Sequence, residues 1–203
     1  VKLKTRCRVR EITVNDAGRA TGVIYYDETG AECRQRARVV ILACNGVGTP
    51  RLLLNSRSAY FPDGLANRSG LVGKNLMLHP CGYVEGVFEE PLNSNLGPHG
   101  CCILSQEFYE TDTNRGFVRG YTMQVLRSPG PIETAISGVA LRRIPWGVGH
   151  HQAFASLFGH AIGISIIVED LPESHNTVTL DPNLVDSNGI PAPKITYKLS
   201  QNS

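Results

Sequence analysis

Hydrophobic and polar positions alternate from the start of the chain. In "KLKTRCRVREITV" (residues 2–14), Leu3, Cys7 and Val9, then Ile12 and Val14, fall on the spacing of a half-buried strand. "NDAGRA" follows as a turn in which Gly18 can take positive φ. "TGVIYYDETGAECRQRARVVIL" continues as strand, Asp-Glu-Thr-Gly turn and strand, so the segment predicts a β-meander. Its last piece, residues 39–42 ("VVIL"), is apolar on both faces. It predicts a strand inside a sheet, parallel to neighbours from elsewhere. A small-residue elbow, "ACNGVG", leads to Thr49-Pro50, expected as the N-cap and first residue of a helix over "RLLLNS".

Residues 57–74 read as loop. Beyond them come short strands such as "CGYVEGVF" and "AIGISIIVED", with a helical or irregular stretch around 105–127. "NTVTLDPNLVDSNGIPAPKITYKLS" predicts a strand, a long turn and another strand. The change of character near residue 80 predicts two parts, 1–79 and 80–203. No internal repeat appears.

Composition narrows the function classes. The 203 residues are 41% hydrophobic and 19% charged, with a formal net charge of +2, as in ordinary globular proteins. Lys2, Lys4, Arg6, Arg8 and Arg10 would share one face of an extended strand, and a solvated face is the expectation, so nucleic acid is not an expected partner. Six cysteines include no C-x-x-C and no zinc-finger spacing to His, which predicts reduced, mostly buried thiols. Cys101 and Cys102 are expected as two buried or half-buried thiols rather than a vicinal disulfide. No run approaches the roughly 18 apolar residues of a membrane span, and no signal peptide opens the chain. Since Val1 is not a Met, the start is expected to be internal to something longer. The compartment stays open, with cytoplasm favoured over periplasm.

Candidate chemistry is sparse. His79 reads as a structural residue. His150 and His151, taken as strand neighbours, would point to opposite faces, so no metal is expected with His160. Asp181 and Asp186 read as turn residues. No G-x-S-x-G elbow supports hydrolysis. Trp146, Phe154, Phe158 and Tyr121 are expected in the core of the second part.

Four stretches in order resemble the glucose-methanol-choline (GMC) family of flavin-dependent oxidoreductases. They are "RCRVREITVNDAGRATGVIYYDETG", "VVILACNGVGTPRLLLNS", "GLVGKNLMLHP" and "LPESHNTVTLDPNLVDSNGIPAPKITY". The family elbow usually has Gly-Ala where Asn45-Gly46 stands here, and Gly where Arg57 stands. The resemblance implies an α+β fold from an α/β parent: residues 1–79 as a partial FAD-binding domain with a β-meander, and 80–203 as a substrate-binding domain. The latter would be a mostly antiparallel sheet with flanking helices. It also implies oxidation of a CH–OH group of an alcohol, sugar or sugar acid by hydride transfer to FAD.

On this resemblance Val9 would present its backbone to the adenine, and Ala43 and Cys44 would lie near the dinucleotide. The amides after Thr49 could also face an anion. The family's G-x-G-x-x-G loop and catalytic His are absent from these residues. No catalytic residue is therefore assigned, and the chain alone is expected neither to hold FAD tightly nor to turn over an alcohol. Exposed sheet edges suggest an oligomer. The alternative is a non-enzymatic β-rich binding or interaction module.

Overall fold

A computed structural model describes residues 1–97 and 100–202; the side chains of Cys101 and Cys102, and with them the expectation for that pair, lie outside the described residues. The chain is an α+β structure dominated by antiparallel sheet, and it divides into two units.

The first unit takes in residues 1–77 and 171–198. Its meander is β1 (Arg8–Val14), β2 (Ala20–Tyr26) and β3 (Glu32–Arg36), paired in that order. Both connections use side-chain-capped turns. Asn15 Oδ1 accepts the amides of Ala17 and Arg19, and Asp27 Oδ1 those of Thr29 and Ala31. These bonds, led by the Thr29 hydroxyl, hold the Asp27 carboxyl below the usual carboxylate range. Helix α1 (Asn45–Asn55) follows, and a two-stranded ribbon of β8 (Thr177–Val185) and β9 (Pro191–Thr196) completes the unit. Ile12, Ile24, Tyr25, Leu52, Leu76, Val178 and Ile190 form its core.

The second unit comprises residues 78–170 and 199–203. Its four strands are β4 (Cys81–Val87), β5 (Cys101–Ser105), β6 (Tyr121–Leu126) and β7 (Ala161–Val168). They form one antiparallel sheet in the order β4-β7-β6-β5, accompanied by α2 (Pro131–Ala140) and α3 (His150–Ala155).

Several expectations change. The change of character near residue 80 predicts that residues 80–203 form one part, but the strands after residue 170 belong to the first unit. Arg51 and the backbone of Leu76 and Lys74 tie them there. Residues 39–42 form no strand, and Val39 and Ile41 are exposed, because no described strand runs beside them to complete a ladder. The strand expected from residue 2 begins only at Arg8, since Arg6 takes a positive φ that breaks the extended backbone. Leu3 is accordingly exposed, and the basic residues do not share a face. Lys4 reaches the Tyr25 hydroxyl at 2.8 Å, whereas Arg10 pairs with Glu11 and Glu32.

The stretch around 105–127, expected to be helical or irregular, holds the end of β5, a short 3-10 turn, loop and strand β6. His150 and His151 open a helix rather than lie in a strand, and no group of three metal-binding side chains gathers among the described residues. Trp146 is 89% exposed, not core, whereas Phe154–Phe158 and Phe108–Tyr121 stack at 5.2 Å. The described thiols are not buried either: Cys7 and Cys33 are half-buried, and Cys44 and Cys81 are exposed. No helix among the described residues is long and apolar enough to cross a membrane.

Candidate functional site: the elbow before helix α1

The elbow belongs to the first unit, and its geometry comes from one asparagine. Asn45 sits at φ +60°, a left-handed conformation that Asn tolerates better than most residues. From there its Oδ1 accepts the amides of Val47 at 2.9 Å and Gly48 at 3.1 Å, which is helix capping in chemical terms. The helix thus starts ahead of Thr49-Pro50, and Pro50 lies within it. The amides expected to face an anion after Thr49 are inside the helix, and those of Val47 and Gly48 are already taken. Gly48 also lets Cys44 fold back, since a Cβ there would come within 3.0 Å of the Cys44 Cβ.

Two polar clamps hold α1. At its C-terminal end Ser56 Oγ donates to Leu52 O at 2.7 Å and accepts from Ile12 N–H at 2.8 Å, fastening β1 to the helix. Midway along, Arg51 donates to Asp186 Oδ2 at 2.9 Å and to the carbonyls of Pro191 at 2.8 Å and Ile190 at 3.0 Å. Burial pushes the Asp186 carboxyl up. The amides of Asn188 and Ile190 and the Arg51 guanidinium together outweigh that and leave it below the usual carboxylate range. Asp186 thus serves as a turn residue and also as the anchor of α1. Asp181 makes a turn through the amides of Asn183 and Leu184.

The three site residues expected from the sequence occupy two places. Ala43 and Cys44 are exposed at the entry to α1. Val9 is 38% exposed on β1, paired with Tyr25. β1 is an outer strand of its sheet, so one side of its backbone meets no described strand. On the same strand Ile12 bonds to Ser56, at the end of α1 remote from the elbow, roughly 16 Å along an 11-residue helix. Beside the elbow a cleft of about 330 Å³ opens between Gly46, Pro50 and Leu53 of α1 and Val72 and Val178. A Cβ on Gly46 would touch nothing within 4 Å, and the first turn of α1 carries no acidic side chain. In the second unit, His79 Nδ1 lies 3.3 Å from Val168 O, a structural contact.

Residues 1–81 match the sequence profile of GMC oxidoreductases. The chain is 43% identical over 202 residues to 2-methyl-1,2-propanediol dehydrogenase of Mycolicibacterium austroafricanum, across 98% of this chain and 36% of that protein. The chain belongs to the GMC oxidoreductase family. It is also 27% identical to the fructose dehydrogenase large subunit of Gluconobacter japonicus, covering 90% of this chain and 33% of that one. Identity to paromamine 6'-oxidase of Streptomyces fradiae is 30%, over 81% and 27% of the two chains. This GMC chain therefore spans about a third or less of the length of these relatives. The family is FAD-dependent.

Proposed function

We propose that this GMC chain contributes the adenine-side strand and the elbow of an FAD site in its first unit and a substrate-domain sheet in its second. The enzyme would oxidise a CH–OH group of a small alcohol or sugar, the class of molecule named in the relatives above. The observation that carries this reading is the elbow itself. Within the matched residues, exposed Ala43 and Cys44 lead into a helix start free of carboxylates. An open strand edge at Val9 accompanies them in the same unit.

Bound FAD would supply the hydride acceptor. The residues present fit its nucleotide portion. Small side chains allow close backbone approach at 43–46, no anion in the first turn repels a pyrophosphate, and the strand edge can exchange hydrogen bonds with a base. Asn45 fixes the turn that presents Ala43 and Cys44, and Ser56 fixes β1 against the same helix. No proton-transfer residue is assigned in this chain, which alone should hold FAD weakly and turn over no alcohol.

Thiol footprinting tests this without turnover. Excess FAD should slow alkylation of Cys44 several-fold and leave Cys81, an exposed thiol of the other unit, unchanged. Equal modification of Cys44 with and without FAD, at concentrations where binding is measured, would refute it.

A further inference from the structure

The second unit contains a small pocket of its own, about 60 Å³, between β4, the first residue of β7 and α2. That is room for roughly four to six waters, or for one molecule of about as many non-hydrogen atoms. Leu141, Leu157 and Ala161 give it aliphatic surface, and Glu85, Arg143, Ser128 and Ser137 give it polar groups. Other polar groups around it are already spent. Thr134 Oγ1 donates to the carbonyls of Gly130 at 3.0 Å and Pro129 at 3.3 Å, and Gly138 O accepts the amides of Arg143 and Ile144. Ser128 is the exception. It is 4% exposed and its amide bonds to Ser94 O, but its hydroxyl has no hydrogen-bond partner among the described residues. A hydroxyl so withdrawn from bulk water calls for something in the pocket to bond to it.

Charge selects the guest. Arg143 Nη1 donates to Glu85 Oε1 at 2.6 Å. That bond uses one guanidinium donor and one carboxylate oxygen, so the pair still offers both donors and acceptors. Opposite Glu85 on β7 stands Gly163, and the Tyr83 hydroxyl occupies the space where its Cβ would be, next to the Glu85 carboxylate. The phenol thus helps to fix the carboxylate. The charges of Glu85 and Arg143 cancel, and Glu133 and Arg142 do not line the pocket. A carboxylate or an ammonium ion would meet a like charge beside the opposite one. A hydroxyl both donates and accepts without charge, and a short carbon skeleton suits the leucines.

We propose that this pocket binds a small uncharged polyol, with Ser128 and the Glu85–Arg143 pair as its hydrogen-bonding groups. The site stands on the second unit alone and does not depend on the flavin reading.

Glycerol, glycolate and ethanolamine are probes of similar size and three different charges. Titrated into the isotope-labelled chain and followed by amide NMR, glycerol should shift Ser128, Thr134 and Arg143 along saturating curves in the millimolar range. Ile24, in the first unit, should stay unmoved. Glycolate and ethanolamine should bind several-fold more weakly. Ser128→Ala should weaken glycerol binding about threefold to tenfold, the share of one hydrogen bond. Glu85→Gln leaves Arg143 uncompensated and should reverse the order, so that glycolate binds more tightly than glycerol. A pocket that holds only structural water would not acquire that preference. Amide signals away from the pocket are the folding control, and if Glu85→Gln fails it, Ser128→Ala decides alone. Shifts that rise linearly with glycerol, or appear equally at Ile24, would report solvent and overturn the proposal. So would an unchanged affinity in Ser128→Ala, or a folded Glu85→Gln chain that still prefers glycerol.

Discussion

Replacing Arg51 by Met keeps most of the aliphatic stem and removes the guanidinium that joins α1 to the β8–β9 ribbon. Three hydrogen bonds disappear, at 2.8, 2.9 and 3.0 Å, one of them to the Asp186 carboxylate. Bonds to charged groups contribute roughly 1.5–3 kcal/mol each, and stripping one partner from a fully buried pair costs ~3–5 kcal/mol. The two side chains are 15% and 21% exposed, so solvent relieves part of this penalty. The expected loss is about 2–4 kcal/mol in urea unfolding of the first unit. Arg51→Lys should fall between, because a lysine cannot reproduce the fork.

Asp186→Asn keeps Oδ1 as the acceptor for the Asn188 and Ile190 amides but puts an NH2 where Oδ2 accepts from Arg51, so it removes both the charge and that bond. A double-mutant cycle with Arg51→Met should therefore return a coupling of roughly 1.5 kcal/mol or more. The folded-state pKa of Asp186 lies below its unfolded value, so its contribution is present above about pH 4 and lost as pH falls through the folded value. Asp186→Asn should flatten the acid limb of the stability profile. An Arg51→Met chain within about 0.5 kcal/mol of the parent, with no coupling to Asp186, would refute the clamp.

Two further substitutions probe the same unit. Ser56→Ala removes the hydroxyl between Ile12 N–H and Leu52 O. It should cost about 1–3 kcal/mol, and amide exchange at Ile12 should accelerate more than at Ile24. Gly73→Ala should cost roughly 3 kcal/mol or more in a thermal melt. Its φ is +79°, and a Cβ would run into the Val178 carbonyl oxygen beside the cleft.

The meander was legible because each part of its signal is local. The two-residue period around Ile12 and Ile24 and the Asn15 and Asp27 turns are settled within a few residues. Residues 39–42 carry an equally strong apolar signal, but a strand needs a neighbour as well as a pattern, and no strand among the described residues lies beside them. α2 escaped notice because its isoleucines face outward and its buried face is Thr134 and Gly138, so hydrophobic periodicity reads the helix backwards. The elbow was legible from its small residues, its link to a cofactor only through resemblance, and the helix start was misplaced because Thr49-Pro50 looks like a cap while Asn45 Oδ1 takes the first amides.

Arg51 left no local trace, since its partner lies 135 positions away in a turn that Asp186 already explained. That long reach matters for the elbow. A small-residue turn before a helix binds nothing well unless the helix is fixed, and α1 supplies little fixing of its own, with a proline inside it and Leu52 as its one buried residue. Its position comes instead from Ser56 at one end and Arg51 in the middle. The residues that would meet a cofactor are therefore exposed and nearly featureless, and those that hold them in place are polar, largely buried and remote in sequence.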